Sequence, residues 1–365
     1  MATDPPPLAT YRDPAVLQRL AQHLRQLPSN GRELVFMHVC GTHENAIARG
    51  GLRSLLPPWV RIIAGPGCPV CVCPPSDIDL AVRLGLEHHA IIATYGDMLH
   101  VPGRVSMAQA RAQGAEIQVV YGAADAVRLA RDNPGRQVVL LAVGFETTAC
   151  TTAAAVLADP PDNFSILTSH RLIPPALIAL LKMPSLRTDG FLLPGHVLAV
   201  TGTADYEPIA AESGRPMAVA GFEPVDILLG LVRLCELALA RDPTVDNSYP
   251  RVVRREGNLR ALAITDQAFV AADATWRGLG VIPDSGLVLR DNLRQLDALQ
   301  RFEILPDPDL PDSLPGCQCG QVMVGLTEPE ACALFGTSCT PDSPRGPCMV
   351  SFEGTCRNRY LYQEV

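Results

Sequence analysis

Short apolar runs alternate along the first two thirds of the chain with stretches whose apolar positions recur at helical spacing. Eight such runs, each three to six residues long, are Leu34–Val39, Val60–Ala64, Ala90–Thr94, Ile117–Tyr121, Val138–Val143, Phe164–Thr168, Phe191–Leu193 and Met217–Ala220. Continuous apolar runs of this length, separated by helix-like stretches, are typical of parallel strands that helices cover on both faces. The pattern therefore predicts the α/β class.

One amphipathic helix is predicted before the first strand, over residues 13–28. Asp13 is a capping residue and Pro14 takes the first helical position, after which leucine and valine recur at helical spacing. From Asp226 the pattern becomes mainly helical, and a stretch rich in proline and aspartate, Leu305–Pro315, leads into a segment rich in cysteine. We expect this C-terminal region and the N-terminal helix to form a domain of their own.

The eight strands are expected to form two similar α/β halves, divided near Ala123–Gly135. Val39–Glu44 and Val143–Thr148 each place a glycine, a threonine and a glutamate just after a strand. Ligands bind at that edge of open α/β sheets. The predicted fold is thus α/β, with two similar parallel-sheet domains and a mainly helical C-terminal domain. The predicted domains are 30–122, 123–225 and 226–365, the last joined by the N-terminal helix.

Composition argues against two classes of partner. Of the 365 residues, 47% are hydrophobic and only 19% are charged, which describes a compact globular chain. The formal net charge is −8, and no basic patch compensates for it. Nucleic acids and anionic membranes are therefore not expected as partners, whereas small molecules and proteins are.

We expect a cytoplasmic protein. The N-terminus lacks the basic region and apolar stretch of a secretory signal. The most apolar helical run, Ile227–Ala240, is interrupted by Arg233 and Glu236 and is too short to span a bilayer. In a reducing cytosol the twelve cysteines are expected to be metal ligands, redox thiols or core residues rather than structural disulfides.

Four cysteines crowd the end of the chain, namely Cys332, Cys339, Cys348 and Cys356. A structural zinc site usually shows C-x2-C pairs, and this run has none. Its spacings of six, eight and seven intervening residues favour a [4Fe–4S] cluster, whose irons each take a thiolate from a different direction. Zinc remains the alternative. The C-terminal domain is therefore predicted to be an iron–sulfur domain.

A thiol, an imidazole and a carboxylate follow the first strand, in Cys40, His43 and Glu44. A cysteine near histidine and at a helix N-terminus has a lowered pKa and is a good nucleophile or soft metal ligand. The alternative is a buried cysteine followed by a capping Thr42 and Glu44.

The loop after the second strand carries a C-x2-C pair, Cys68 and Cys71, among glycines and prolines that restrict the backbone. In a cytosolic α/β protein this pair indicates dithiol/disulfide exchange or half of a metal site. Only Cys317 and Cys319 could supply the second half, and they lie far away in sequence.

Two further strand ends carry the carboxylates Asp97 and Glu146. Taken separately, each is explained by turn and capping chemistry. The sequence contains neither a Walker-type phosphate loop nor a Gly-x-Gly-x-x-Gly after a strand, so nucleotide hydrolysis and dinucleotide binding are not predicted.

Together these stretches resemble one family, the hydrogenase maturation factor HypD, an iron–sulfur protein of [NiFe]-hydrogenase assembly. The resemblance spans nearly the whole chain. The stretches that carry it are His38–Glu44, Gly65–Cys71, Tyr95–Met98, Gly144–Thr148, Gly221–Pro224, Trp276–Gly280 and the C-terminal cysteine run.

The resemblance implies a scaffold with redox activity, on which an Fe(CN)2CO unit is assembled together with the small chaperone HypC. Cyanide would come from HypE, and the unit would pass to the hydrogenase large subunit. Two alternatives stay open. One is a free-standing thiol–disulfide oxidoreductase that uses the cluster and the C-x2-C pair, and the other is a zinc-stabilised binding scaffold.

The resemblance also implies roles for individual residues. Cys40 would bind the iron of the Fe(CN)2CO unit together with a cysteine of the chaperone, and His43 would be a nearby ligand or proton donor. Cys68 and Cys71 would be redox thiols, although Cys73 leaves open which pair in that loop changes state. The expected cluster ligands are Cys332, Cys339, Cys348 and Cys356. The residues expected around the iron fragment are Cys40, Thr42, Glu44, Asp97 and Glu146.

Overall fold

The computed structural model describes residues 8–307, 309–312 and 314–362. Its strands form two parallel sheets and one antiparallel hairpin. In chain order the strands are β1 Leu34–His38, β2 Val60–Ala64, β3 Ile91–Thr94, β4 Ile117–Val119, β5 Val138–Gly144, β6 Phe164–His170, β7 Gly190–Pro194, β8 Met217–Ala220, β9 Val245–Asn247, β10 Phe269–Trp276 and β11 Gly280–Leu289. The first sheet has the order β2-β1-β7-β8-β9 and the second β4-β3-β5-β6. All eight predicted strands are present, and the α/β class is confirmed.

The two sheets interleave along the chain. The predicted division into the first four and the last four strands is wrong, because β1 pairs with β7 and β3 pairs with β5. Each sheet thus takes strands from both 30–122 and 123–225. Parallel strands buried on both faces all carry the same apolar pattern, which identifies a strand but not its neighbour. The glycine, threonine and glutamate of the internal similarity nevertheless follow an interior strand of each sheet, β1 and β5.

Helices cover both faces of the sheets, so successive residues of a strand enter different cores. Phe36 packs into one core and Met37 into another. In chain order the α-helices are α1 Pro14–Gln26, α2 Gly41–Arg49, α3 Pro69–Val72, α4 Pro75–Leu86, α5 Met107–Ala112, α6 Ala123–Asp132, α7 Glu146–Val156, α8 Ile173–Leu181, α9 Gly195–Thr201, α10 Tyr206–Ser213, α11 Pro224–Ala240, α12 Leu259–Ala268, α13 Ala298–Arg301, α14 Cys319–Met323, α15 Pro347–Val350 and α16 Thr355–Leu361. The predicted N-terminal helix is confirmed, since the Asp13 side chain accepts a hydrogen bond from the Ala15 N–H at 2.8 Å.

The C-terminal region contains a hairpin, β10–β11, that the sequence analysis did not predict. Its strands are antiparallel and carry many exposed positions, including Val270 and Val281. Because small and acidic residues interrupt the apolar residues of β10, its sequence lacks the continuous run that marks a buried strand. The region after Asp226 is therefore helical only in part.

The cysteine segment packs against the first sheet. Cys319, Cys348 and Cys356 share one hydrophobic core with Met37 of β1 and with Trp276 at the end of β10. This packing brings the tail of the chain to the strand end that carries Cys40. Within the described residues, the helices are too short or too polar to cross a membrane.

Candidate metal and thiol site

Cys40 lies between β1 and α2, where it is only 7% exposed. Burial, reinforced by the Glu353 carboxylate, raises the pKa of the Cys40 thiol to about 12. The lowering expected from the helix terminus and His43 is therefore wrong, because desolvation outweighs the favourable partners and His43 carries no positive charge. The thiol must lose its proton before it can bind a metal.

His43 lies buried beside the first sheet. Its Nε2–H donates to the carbonyl of Gly221 at 2.9 Å, and its ring stacks on Phe222 with the centroids 4.7 Å apart. Burial lowers the pKa of His43 to about 3, so the ring is neutral at pH 7. In the described part of the chain, Nδ1 has no hydrogen-bond partner. His43 can therefore accept a hydrogen bond or bind a metal through Nδ1, but it is not an imidazolium donor.

Glu44 belongs to a buried charged cluster. Its Oε2 lies 2.7 Å from His38 Nε2 and accepts a hydrogen bond from Arg53 Nη2, also at 2.7 Å. Although burial opposes ionisation, Arg53 and His38 lower the pKa of Glu44 to about 2. The carboxylate thus links β1, α2 and the short 3-10 helix Leu52–Leu55 that carries Arg53. These contacts fix the start of α2, where Cys40 lies.

A chain of polar side chains joins α2 to the C-terminal segment. Thr42 Oγ1 donates to Glu353 Oε1 at 2.6 Å, and the Glu353 N–H donates to Ser351 Oγ at 3.2 Å. Ser351 Oγ in turn donates to Asp97 Oδ2 at 2.9 Å. Burial raises the pKa of Glu353. Sequence reasoning missed Glu353; its position three residues before Cys356 was the available signal.

The C-x2-C pair forms a disulfide, Cys68–Cys71, at the start of the short helix α3. Gly67, just before it, lies directly on the backbone of Cys40: the Gly41 N–H donates to the Gly67 carbonyl at 2.8 Å. A Cβ at Gly67 would overlap the backbone of Val39 and Cys40. The disulfide loop therefore backs onto the strand end that holds the Cys40 thiol.

Gly67→Ala is expected to lower the free energy of unfolding by about 3 kcal/mol, at the upper end of overpacking costs, because rigid backbone blocks the added methyl group. Urea unfolding measures this. Gly135→Ala is the matched control, since a Cβ there meets nothing within 4 Å. Equal stabilities of the two variants would contradict the close approach.

Cys73 lies apart from the disulfide. Its Sγ is 3.4 Å from Ser169 Oγ, in the core beneath the second sheet. Burial and the nearby Asp77 raise the pKa of Cys73 to about 12. Of the three thiols in this loop, Cys68 and Cys71 are thus the bonded pair, and Cys73 is a protonated core residue.

Three thiols converge in the cysteine segment, those of Cys319, Cys348 and Cys356. Their sulfur atoms all lie within 4.8 Å of one another, and all three residues are buried. Hydrogen bonds from Cys319 and Cys356 hold the pKa of Cys348 well below its usual range. An all-sulfur donor set suits zinc or an iron–sulfur group, so this group could hold a metal.

The predicted ligand set overlaps this group in Cys348 and Cys356. Cys339 and Cys332 lie outside it: Cys339 Sγ accepts a hydrogen bond from the Arg345 N–H at 3.3 Å, and Cys332 Sγ is 3.9 Å from the Gly316 carbonyl. Two sulfurs, those of Cys317 and Cys319, fill the space beside Gly346. The sequence analysis considered Cys317 and Cys319 only as the possible second half of a metal site with Cys68 and Cys71.

The disulfide, Cys348 of the converging thiols and the start of α2 meet at one cavity. Cys71 Sγ lies 3.9 Å from the carbonyl of Pro347, the residue before Cys348. A small cavity is lined from three directions, by the disulfide, by Cys348 and by the start of α2 with Glu353. The disulfide therefore lies beside the converging thiols, and the loop that carries it contacts the backbone of Cys40.

Glu146 is not brought to this cavity. Its Oε1 accepts a hydrogen bond from the Ile173 N–H at 2.8 Å, and burial raises the pKa of Glu146 to about 7. It caps the junction of α7 and α8 beside the second sheet. Asp97, by contrast, reaches the site through Ser351.

Comparison with known proteins gives one consistent family. The family model described as HypD, hydrogenase formation hypA family, matches residues 15–363. Hydrogenase maturation factor HypD of Cupriavidus necator is 43% identical over 364 residues, covering 96% of each chain. The factor of the same name from Escherichia coli K12 is 43% identical and covers 97% of each chain. Hydrogenase expression/formation protein HupD of Azotobacter chroococcum is 41% identical, covering 96% of this chain and 95% of its own.

Proposed function

Because the chain belongs to the HypD family of hydrogenase maturation factors, we propose that it is the scaffold and redox centre for assembly of the Fe(CN)2CO unit. A HypC-type chaperone would share the iron, a HypE-type donor would supply cyanide, and the hydrogenase large subunit would receive the product. The observation that carries the proposal is that Cys348 of the converging thiols and the Cys68–Cys71 disulfide line one cavity with the start of α2, the helix that follows Cys40.

In this proposal Cys40 holds the incoming iron as its substrate. Low-spin iron with cyanide and carbonyl ligands favours a soft thiolate partner, and a buried position excludes water. The thiol must first release its proton. Glu353 lies close enough to influence its pKa, and its carboxylate accepts a hydrogen bond from Thr42 Oγ1 at 2.6 Å. The Glu353 carboxylate is the proposed acceptor of that proton.

The converging thiols are proposed to hold a [4Fe–4S] cluster. Cys348 and Cys356 belong both to this group and to the sequence-based set, Cys332, Cys339, Cys348 and Cys356. Such a cluster supplies single electrons. The disulfide beside Cys348 would take up two electrons and two protons and become two thiols. Its position between the cluster thiols and Cys40 supports the use of those electrons at the bound iron.

Infrared spectroscopy tests the proposal directly. The protein is co-produced with a HypC-type chaperone and purified anaerobically, and bands of iron-bound cyanide and carbon monoxide are expected in the complex. A complex that matures hydrogenase without ever showing these bands would contradict the scaffold role. The bands report the assembled ligands themselves.

The disulfide also supports a second candidate, a free-standing thiol–disulfide oxidoreductase. Such an enzyme would reduce a model protein disulfide without any partner and would show no cyanide or carbonyl bands. A zinc-stabilised scaffold, the third candidate, would contain zinc and neither iron nor acid-labile sulfide. Metal and sulfide analysis separates it from the other two.

Glu353→Gln is expected to increase the alkylation rate of Cys40 severalfold at pH 8. The Glu353 charge adds to burial in raising the pKa of Cys40, so its removal lowers that pKa and increases the thiolate fraction. Mass spectrometry of the Cys40 peptide after iodoacetamide treatment measures the rate. Glu330→Gln, an exposed carboxylate in the same segment, is the control and should leave the rate unchanged. A slower or unchanged rate in Glu353→Gln would refute the electrostatic link.

A further inference from the structure

The turn of the β10–β11 hairpin lies between the disulfide loop and the cysteine segment. On one side, the Arg277 N–H donates to the Val72 carbonyl at 2.9 Å. On the other side, a Cβ added to Gly278 would lie only 2.6 Å from the Cα of Gly320. Gly278 also has a φ of +81°, which favours glycine. The turn thus joins the disulfide loop to the helix that begins at Cys319.

Arg277 places its guanidinium inside this junction, where the side chain is 1% exposed. Its Nε donates to the Cys73 carbonyl at 2.8 Å and its Nη2 to the Pro102 carbonyl at 3.0 Å. Among the described residues, no carboxylate oxygen lies within 4.0 Å of its guanidinium nitrogens, the distance limit for an ion pair. A buried cation without a counter-charge is strongly destabilising, because burial removes its hydration. The position therefore requires negative charge from another kind of group.

The cysteine segment is the available source of that charge. Burial lowers the pKa of Arg277, and the groups that oppose the lowering are Cys73, Cys319, Asp312 and Cys317. Cys73 is a protonated core thiol, and Asp312 is half-exposed, so water screens its charge. The thiols of Cys317 and Cys319 remain; Cys319 belongs to the converging group, and a thiol that binds a metal does so as the anion.

We propose that Arg277 is a positioning residue for the metal group, one whose charge stabilises the reduced form of that group and whose hydrogen bonds hold the disulfide loop beside it. The inference rests on the proposed function, because it takes the metal group to be a [4Fe–4S] cluster. One-electron reduction adds a negative charge to such a cluster. A permanent positive charge nearby makes that addition more favourable and raises the reduction potential.

The reduction potential of the full-length, anaerobically reconstituted protein tests this role. Optical titration with dithionite compares the wild type with Arg277→Met, Arg277→Gln and Arg277→Lys. Both neutral variants are expected to have a more negative midpoint potential, whereas Arg277→Lys keeps a value near that of the wild type. The methionine side chain of Arg277→Met fills the buried volume and has no hydrogen-bond donors to leave unpaired. This variant therefore provides the test if Arg277→Gln does not fold.

Trp276→Phe is the matched control in the same turn. It removes the hydrogen bond from Trp276 Nε1 to Ser285 Oγ, 2.8 Å long, without changing any charge, and the wild-type potential is expected. An equal shift in this control would overturn the proposal, because the potential would then report the structure of the turn.

Two further outcomes separate this inference from the proposed function. A neutral Arg277 variant with full iron and sulfide content and an unchanged potential would overturn the role of Arg277 and leave the cluster in place. A wild-type protein without iron and acid-labile sulfide would overturn the cluster itself, and the inference with it.

Discussion

Cys40→Ala is expected to abolish the infrared bands of iron-bound cyanide and carbon monoxide in the complex with a HypC-type chaperone, while the iron and sulfide of the cysteine segment remain. Cys40 is the thiol at the end of β1 and the start of α2. In the proposed scaffold, an alanine there would leave the iron fragment without its soft ligand from this chain. Infrared spectra and iron and sulfide analysis of the same anaerobic preparation measure both results.

Cys235→Ala is the matched control for this experiment. Cys235 is an equally buried free thiol, but it lies within α11, in a different core. Its replacement should leave both the bands and the iron content unchanged. Persistence of the bands in Cys40→Ala would show that another group holds the iron, and the proposed role of Cys40 would have to be abandoned.

Neighbouring thiols are poor substitutes for Cys40 in this structure. Cys68 and Cys71 are bonded to each other, and the loop that carries them touches Cys40 through backbone at Gly67. Cys73 points into the core beneath the second sheet. The proposed division of roles, with one free thiol for iron and one bonded pair for electrons, rests on these positions.

The strands could be predicted from the sequence because their signal is local. Each run, such as Val138–Val143, is apolar throughout, as expected for a strand covered on both faces. Strand order could not be predicted in the same way. The contact between β1 and β7 joins segments about 150 residues apart, and it depends on how helices pack rather than on any pattern within either strand.

The same contrast between local sequence signals and tertiary packing applies to the candidate site. Cys40, Thr42 and the Cys68–Cys71 pair lie in short motifs directly after strands, so their neighbourhood could be predicted. Glu353 and Cys319 approach from the other end of the chain, through the packing of the cysteine segment on the first sheet. The pKa of Cys40 was misjudged for the same reason, because burial by that segment is a tertiary effect.

Cys356→Ala is expected to remove the iron and acid-labile sulfide of the protein and, with them, the infrared bands. Cys356 belongs both to the converging thiols and to the ligand set that the sequence spacing predicts. Without one of its thiolates, a bound metal would have an open coordination site and would be held weakly. Once the metal is lost, nothing balances the negative charge of the remaining buried thiolates. Iron, sulfide and visible absorbance of the anaerobically purified variant measure the loss.

Cys319→Ala and Cys332→Ala then distinguish the two ligand sets, because each residue belongs to one set alone. Loss of iron in Cys319→Ala with retention in Cys332→Ala would select the converging thiols, and the reverse would select the set based on spacing. Cys68→Ser should retain the cluster, since Cys68 is bonded to Cys71 rather than to the group. Cys356 belongs to both ligand sets. Full iron and sulfide content in Cys356→Ala would therefore contradict both of them.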